Sequence, residues 1–384
     1  MVSVKEASAK KIKDSRGENT IEVFIETNAG KFSASAPTGK STGKFEAKPY
    51  KKSLDEDIKK VKDFSEYFSS ESIDKFEDLR RIEDILEGNV GANTVIAFEF
   101  ALLKAMAREQ KKEVWQIINP QSKKLPRFVG NVIGGGKHNN NDMRPDFQEF
   151  LVIPNEGSAK ANFEKMKEIK KDLIKLLKEK DLRFSGKKTD EDAWACSLSE
   201  KEILEILKTF NVPLGIDIAA SSFYKRNKYN YLNPPIKRET SEQEVYLNNL
   251  IKNFNIFYVE DPFEEEDFKC FSKILEKNRA LIVGDDLIVT NEKRLKKAIE
   301  EKSVNAIIVK PNQNGSLVKV KEVCELAKKN NIKLVFSHRS GETEENILAD
   351  LAVGFGADFL KCGVTGPERE SKIKRIIEIE NSLK

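Results

Sequence analysis

The chain has 384 residues, of which 39% are hydrophobic and 34% are charged. Its 67 Lys and Arg residues nearly balance its 63 Asp and Glu residues, so the net charge is only +4. This balance argues against a nucleic-acid-binding or membrane-surface protein, because such proteins carry a basic face or runs of one charge. The length predicts two domains, or one barrel with an added domain.

Cysteine usage and hydropathy indicate the compartment. The four cysteines are scattered, and no Cys-x-x-Cys spacing suggests a zinc site or a disulfide framework. Residues 1–18 contain no apolar signal segment, and no apolar run approaches the ~18 residues of a membrane span. We therefore expect a soluble, cytoplasmic protein with neither a membrane nor a nucleic acid as partner.

Residues 1–124 predict an α+β domain. Apolar and polar residues alternate over 21–25 and again over 32–36, with a turn between them, which is the pattern of a hairpin with one buried face. A loop bracketed by glycines follows at 37–43. Helices are predicted after this loop, at 53–68, 72–87 and 91–110.

Residues 125–384 show a different pattern. Short apolar strands alternate with helices, which predicts a parallel sheet. An open doubly wound sheet also has this alternation, but it usually carries a Gly-x-Gly-x-x-Gly motif after its first strand, and the sequence has none there. The length is close to the ~250 residues of an eight-stranded α/β barrel of the TIM type, which is the fold we predict. Its C-terminal mouth would collect the polar residues that close six strands: Asp217, Glu260, Asp285, Lys310, His338 and Lys361.

Three acids close successive strands, so the carboxylates of Asp217, Glu260 and Asp285 are expected to converge on one side of the mouth. Three carboxylates stay ionised together only beside a cation, and an all-oxygen ligand set favours a hard cation such as Mg²⁺. The alternative is that these acids end their strands and face solvent, as single acids often do.

Lys310 and Lys361 close strands on the other side. A lysine at a strand end is usually a solvated surface residue. Facing a cation site, the two ammonium groups would repel each other and the metal, so we expect lowered pKa values and a neutral amine that acts as a base. A lysine base with a metal-bound carboxylate suggests proton abstraction next to a carboxylate.

His338, Arg339 and Ser340 lie where a strand leads into a helix. Their ring N–H, guanidinium and hydroxyl groups are donors suited to a phosphate. The alternative is that this segment only precedes a helix, with Ser340 or Thr343 as the N-cap.

A second candidate phosphate motif is rejected. The segment "TGKST" (38–42) is similar to the end of a P-loop, but that motif requires glycine at position 34, where the chain has Ala34.

Segments spread over nearly the whole chain carry a resemblance to the enolase family: "DSRGENTIEV" (14–23), "APTGKSTGKFEA" (36–47), "GANTVIAFEFALLKA" (91–105), "GIDIAASSFY" (215–224), "VEDPFEEED" (259–267), "VGDDLIVTN" (283–291), "VKPNQNGSL" (309–317) and "SHRSGETEEN" (337–346). The resemblance implies a barrel of the enolase kind with an N-terminal α+β domain, and the Mg²⁺-dependent interconversion of 2-phosphoglycerate and phosphoenolpyruvate. It also implies two Mg²⁺ ions per site, a small phosphorylated hydroxy-acid substrate, and a homodimer or higher homo-oligomer.

The resemblance assigns metal ligands by position. Asp217, Glu260 and Asp285 match the ligands of the tighter magnesium ion. Ser41, in the mobile loop, matches the serine that helps to hold the second ion when the loop closes.

The resemblance also assigns residues to the reaction. Lys310 matches the base that removes the C2 proton, and Lys361 matches the lysine that neutralises the substrate carboxylate. His338, Arg339 and Ser340 match the substrate-binding segment, with Arg339 and Ser340 on the phosphate.

A less regular region supplies the other site residues that the resemblance implies. The segment 134–150 places His138, Gln148 and Glu149 in the site. Glu191 matches the general acid that protonates the leaving hydroxide, with Glu149 assisting it. We expect the second carboxylate to raise the pKa of Glu191, because a general acid must hold its proton near neutral pH.

The chain departs from the family pattern in two loops. Asp192, Ala193 and Trp194 replace small, glycine-rich positions after Glu191, and Lys40 stands where the family usually has a small residue. These changes leave two alternatives to a working enolase: a related lyase with a different acid substrate, or an enolase-like binding protein that has lost catalysis.

Overall fold

The computed structural model describes residues 1–40, 43–68 and 71–384. The N-terminal part contains an antiparallel sheet of β1 (Val2–Lys13), β2 (Asn19–Thr27), β3 (Gly30–Ser35) and β4 (Ser72–Ile73), in the order β3-β2-β1-β4. The hairpin β2–β3 confirms the predicted alternation. β1 was not predicted, because its buried apolar residues are confined to its first half and lysines dominate the rest.

The helices of this part are α1 (Leu54–Asp63), α2 (Ser65–Phe68), α3 (Leu79–Leu86), α4 (Ala92–Gln110) and α5 (Val114–Ile118). The predicted helix at 91–110 is confirmed as the largely buried α4, which packs on β2 and β3. The prediction of a helix at 72–87 is wrong in its first half. Ile73 pairs with Val2 in the sheet, so this tertiary pairing overrides the local helical pattern.

Eight strands of the described chain close into a barrel: β5 (Arg127–Gly134), β6 (Glu149–Val152), β8 (Leu214–Asp217), β12 (Tyr258–Glu260), β13 (Leu281–Gly284), β14 (Ala306–Val309), β15 (Lys333–Ser337) and β16 (Phe359–Gly363). Pairing of β16 with β5 closes the ring. The short β7 (Trp194–Ala195) adds to β5, and a small separate sheet contains β9 (Tyr224–Lys225), β10 (Lys228–Leu232) and β11 (Pro235–Arg238).

The predicted eight-stranded α/β barrel is confirmed, but the expectation of a wholly parallel sheet is wrong. Strand β6 runs antiparallel to both of its neighbours, β5 and β8. The connection 135–148 contains a 3₁₀ turn at Gly136–His138 instead of a crossover α-helix. A parallel return requires such a crossover, so this shorter connection leads into an antiparallel strand.

Helices surround the barrel: α6 (Ala159–Lys180), α7 (Glu200–Lys208), α8 (Thr240–Phe254), α9 (Phe268–Lys277), α10 (Glu292–Glu300), α11 (Pro311–Asn314), α12 (Leu317–Lys329), α13 (Ile347–Gly354) and α14 (Pro367–Ser382). A compact apolar cluster from the strands, including Leu151, Tyr258 and Val335, fills the barrel interior. The larger core lies between the strands and the helices. None of the described helices is long and apolar enough to cross a membrane.

Candidate active site

Most of the predicted site residues line one cavity at the C-terminal mouth of the barrel. The site residues predicted from the sequence that line this cavity are His138, Gln148, Glu149, Glu191, Asp217, Asp285, Lys310, His338, Arg339, Ser340 and Lys361. Glu260 does not line the cavity but lies fully buried, with its carboxylate against Lys361. Ser41 falls outside the residues that the structure describes.

The three predicted acidic ligands lie on adjacent strands. Asp217 and Glu260 end β8 and β12 and are paired in register, and Asp285 follows β13 directly. Burial and the neighbouring Asp217 carboxylate raise the pKa of Glu260 to about 8. The ionised acids therefore need a cation, and their all-oxygen donor set fits Mg²⁺.

The two lysines occupy the space between these acids. Lys361 Nζ lies 2.8 Å from Asp217 Oδ2 and 2.8 Å from Glu260 Oε1, and it is 3.2 Å from Glu149 Oε2. Lys310 Nζ donates a hydrogen bond to Asp285 Oδ2. Together the two ammonium groups offset only part of the charge of these four carboxylates.

The sequence-based expectation of lowered lysine pKa values is wrong. Burial lowers the pKa of Lys361, but the carboxylates of Asp217, Glu149 and Glu260 together raise it by more. The net pKa therefore lies well above the usual range. Burial also lowers the pKa of Lys310, and Asp285 reverses that effect. The carboxylates face the lysines directly, so their attraction outweighs the repulsion on which the expectation was based. Lys361 is also the third residue of β16 and does not close that strand.

Glu191 lies between both histidines of the chain. Its Oε1 is 3.5 Å from His138 Nδ1, its Oε2 is 3.4 Å from His338 Nε2, and Asn131 Nδ2 donates to Oε2 at 3.0 Å. Burial raises the pKa of Glu191, but His338 and His138 lower it by more, so the net pKa lies well below its usual range. The prediction that Glu149 holds the proton on Glu191 is therefore wrong.

Of the two carboxyl groups, Glu149 and Glu191, Glu149 is the one whose pKa is raised. Burial and the charge of Glu191 raise its pKa well above the usual range, although Lys361 opposes them. Burial also lowers the pKa of His138 and His338, against the attraction of Glu191. Because a buried carboxyl pair shares its protons, a proton in this cluster resides on Glu149 before Glu191.

Arg339 and Ser340 occupy the predicted phosphate end. Arg339 donates to Asn312 Oδ1 at 3.0 Å and to Glu46 Oε2 at 2.9 Å, and Ser340 Oγ accepts from Lys40 N at 2.8 Å. A backbone bridge between Thr38 and Gly341 lies beside them. The N-terminal part of the chain therefore completes this end of the cavity.

Several buried polar atoms at the cavity have no hydrogen-bond partner among the described residues. Gln148 Oε1 and His338 Nδ1 have no charged partner either, whereas His138 Nδ1, His338 Nε2 and Glu149 Oε2 each lie 3.2 to 3.5 Å from an oppositely charged group. Buried polar atoms are normally paired, so this set is suited to a polar ligand that supplies both donors and acceptors.

The structure adds two acids that the sequence interpretation missed. Ligand atoms of Asp261, Asp285 and Asp286 lie within 4.8 Å of one another. Asp261 accepts hydrogen bonds from the backbone N–H groups of Asp285 at 3.0 Å and of Asp286 at 2.7 Å, so it fixes the turn that carries Asp285. Each acid directly follows a predicted one, in "EDP" and "GDD", and doubled acids at strand ends were the available signal.

Comparisons with known proteins show the family of this chain. A family model described as "Enolase, N-terminal domain" matches residues 4–118. A second family model, described as "Enolase, C-terminal TIM barrel domain", matches residues 122–384. The chain belongs to the enolase family. This confirms the resemblance drawn from the sequence motifs.

Curated relatives named enolase match over nearly their whole length. The enolase of Archaeoglobus fulgidus is 36% identical, covering 96% of this chain and 95% of the relative. The enolase of Methanosphaera stadtmanae is 37% identical, covering 99% and 97%. The enolase of Pyrobaculum aerophilum is 32% identical, covering 100% and 97%. The similarity to these archaeal enolases, which are hydro-lyases, thus extends over nearly the whole of this chain.

Proposed function

We propose that this chain catalyses the Mg²⁺-dependent, reversible dehydration of 2-phosphoglycerate to phosphoenolpyruvate in glycolysis and gluconeogenesis. One observation carries the proposal: a single buried cavity presents Lys310, Lys361, Glu191 and Arg339 together. These residues provide a base, a carboxylate partner, a general acid and a phosphate partner. The dehydration of 2-phosphoglycerate uses all four of these functions.

Lys310 removes the proton from C2 of the substrate. The electrons of the C–H bond move into the carboxylate, and Lys361 pairs with the negative charge that develops there. The Lys361 side chain is 3% exposed and the Lys310 side chain is 13% exposed, and this shielding from water strengthens their electrostatic effect on the substrate. Lys310 needs a free amine for this step, so its pairing with Asp285 has to weaken when the substrate binds.

Magnesium fits at Asp217, Glu260 and Asp285, where, when bound, it supplies positive charge that offsets these acids and stabilises the carboxylate dianion. Lys310 and Lys361 then no longer have to neutralise the acids. We propose a second ion near Ser41, by analogy with the family. Asp217, Glu260 and Asp285 supply only oxygen donors, which agrees with magnesium.

Glu191 passes to the hydroxyl group that leaves C3 as water a proton that Glu149 holds before the reaction, since Glu149 is the carboxyl group of this pair with the raised pKa. The Glu191 carboxyl group lies at hydrogen-bonding reach of Asn131 and close to His338, which orient it toward the cavity. Glu149 assists by holding a proton nearby, since its pKa is raised well above the usual range. Arg339 and Ser340 bind the phosphate, and His138 and Gln148 contact the substrate.

We further propose a division into domains at residues 1–124 and 125–384, assembly as a homodimer or higher homo-oligomer, and a cytoplasmic location. The substrate of this site is a small phosphorylated hydroxy acid. The balanced charge of the chain supports the absence of a nucleic acid partner.

A direct assay tests the proposed function. Purified protein is incubated with 2-phosphoglycerate and Mg²⁺, and phosphoenolpyruvate is followed by its ultraviolet absorbance. We expect turnover that stops when the metal is chelated and returns when Mg²⁺ is added back. A panel of other phosphorylated and hydroxy acids is run in parallel. Turnover of one of these without turnover of 2-phosphoglycerate would contradict the proposal and indicate a related lyase.

A further inference from the structure

Asp192, which directly follows Glu191, is tied to helix α6. Its carboxylate Oδ2 lies 2.9 Å from Lys170 Nζ, and Lys170 also donates to the backbone carbonyl of Asp192. Thr365, in the loop after β16, donates to the same carboxylate. Side chain and backbone at this position are therefore bound by the same buried ammonium group.

Lys170 is the buried partner in this arrangement. Its side chain is 4% exposed, whereas Lys188, which also contacts the Asp192 carboxylate at 2.6 Å, is 46% exposed. Trp194 Nε1 donates to the backbone carbonyl of Lys170 at 2.7 Å, so the loop is tied to α6 on both sides of Ala193. The Asp192 side chain is 25% exposed, so the pair is partly shielded from water by the buried Lys170, whereas the Lys188 contact is screened on both sides.

Glu191 has few contacts of its own that fix its position. Only the Asn131 contact, at 3.0 Å, is a hydrogen bond, and the two histidine contacts are 3.4 and 3.5 Å long. The side chain therefore depends on its backbone for its place in the cavity. That backbone is held one residue later, at Asp192.

We propose that the ion pair between Asp192 and the buried Lys170 is a positioning device that holds the Glu191 loop in place for the protonation step. The inference rests on the proposed function, because it requires Glu191 to act as the general acid. Neither Lys170 nor Asp192 lines the cavity, so both act through Glu191. The pair explains how a chain with aspartate at a glycine-rich family position retains an ordered acid loop.

The reaction itself supplies a readout that separates positioning from general damage. Removal and return of the C2 proton requires Lys310 but not Glu191, so 2-phosphoglycerate incubated with enzyme and Mg²⁺ in D₂O exchanges that proton without dehydration. Exchange is followed by NMR, and phosphoenolpyruvate formation by absorbance. A displaced general acid slows only the second process.

The test compares Lys170→Met and Asp192→Asn with Lys188→Met. Asn tolerates the positive φ of 62° at this position, so Asp192→Asn removes the charge without backbone strain. For the first two variants we expect kcat for dehydration to fall about 10- to 100-fold, because small displacements of a catalytic group are costly. Their KM and C2 exchange rates should stay within about threefold of wild type. Lys188→Met, which loses a half-exposed ion pair with Asp192 and a 5.8 Å contact with the Trp194 ring, should resemble wild type.

The following outcomes would contradict the inference. If Asp192→Asn dehydrates at the wild-type rate, the inference is overturned, even if Lys170→Met fails to fold. It is also overturned if exchange and dehydration fall together in folded Asp192→Asn, since the pair then has a general structural role. If wild-type protein forms no phosphoenolpyruvate, the proposed function fails and the inference falls with it. Wild-type turnover with unaffected variants overturns the inference alone.

Discussion

Lys361 Nζ lies 2.8 Å from Glu260 Oε1, inside the acid cluster at the barrel mouth. The same ammonium group is 2.8 Å from Asp217 Oδ2, and all three side chains are almost fully buried. An internal cation therefore neutralises carboxylates that are also the predicted magnesium ligands. Lysine and metal perform the same electrostatic task, so the stability of the protein should depend on both.

Replacing Lys361 by methionine should destabilise the metal-free protein by about 3 kcal/mol, because buried carboxylates lose their counter-charge. Mg²⁺ should recover much of this loss by binding the native state. The check is thermal unfolding in chelator and in Mg²⁺. Lys372→Met is the matched control, since Lys372 is equally buried and pairs with Glu342 at 2.9 Å. A loss of stability in Lys361→Met that Mg²⁺ does not reduce would contradict this prediction.

Gly39 lies against the guanidinium of Arg339. A Cβ atom at position 39 would lie 1.8 Å from Arg339 Nη2, whereas a Cβ at Gly157 would meet nothing within 4 Å. Gly39→Ala should therefore displace Arg339 and raise KM about 10-fold, in line with the loss of one charged hydrogen bond. Gly157→Ala should leave KM unchanged. Steady-state kinetics measures KM for the two variants. Equal KM values would be evidence against Arg339 as the residue that binds the phosphate.

The fold could be predicted from the sequence where local pattern and tertiary role agree. Asp217, Glu260 and Asp285 each follow a short apolar run, and parallel strands bring such ends together. The pattern failed for β1, and for β4, where Ile73 pairs with Val2. The direction of β6 was also not predicted, because the connection 135–148 forms a 3₁₀ turn and no crossover α-helix.

The electrostatics of the site could not be read from the sequence. Lys310 and Lys361 were expected to face a cation, but in the structure each faces carboxylates at contact distance. The histidines at 138 and 338 lie far apart in sequence, yet both lie close to Glu191 and lower its pKa. The direction of a pKa shift depends on the distances between charged groups in the folded protein, and the order of residues along the chain does not give these distances.

Glu200, at the start of α7, gives a pH-dependent prediction outside the active site. Burial raises its pKa from 4.5 to about 7, although its Oε1 accepts from Asp146 N at 2.8 Å. A raised carboxyl pKa contributes stability that is complete below the unfolded pKa and is lost as the pH rises through the folded pKa. The protein should therefore lose this contribution between about pH 5 and pH 8.

Glu200→Gln should remove this pH dependence. At about pH 8 the variant should be more stable than wild type by about 1–3 kcal/mol, because glutamine carries no charge to bury. At about pH 4 the two proteins should be equally stable. Urea unfolding across this pH range measures the difference, with the exposed Glu205→Gln on the same helix as control. A constant difference across the range would show that Glu200 does not titrate as described.

Lys40, the departure in the predicted lid loop, pairs with Asp190, and the two side chains are 32% and 18% exposed. A half-exposed pair contributes little, so Lys40→Ala should change kcat/KM by no more than about fivefold. High salt should abolish the difference between variant and wild type. Kinetics at two salt concentrations tests this. A loss of a hundredfold or more, independent of salt, would show that Lys40 has a direct role in the reaction rather than a contact at the loop.

The most direct test of the central claim is the rate of phosphoenolpyruvate formation from 2-phosphoglycerate and Mg²⁺ by wild type and by Lys310→Ala. We expect clear turnover by wild type and a loss of about 10²- to 10⁴-fold in the variant, the usual contribution of a general base. Thermal unfolding confirms that the variant is folded. Wild-type activity no higher than that of Lys310→Ala would contradict the claim that this site dehydrates 2-phosphoglycerate with Lys310 as its base.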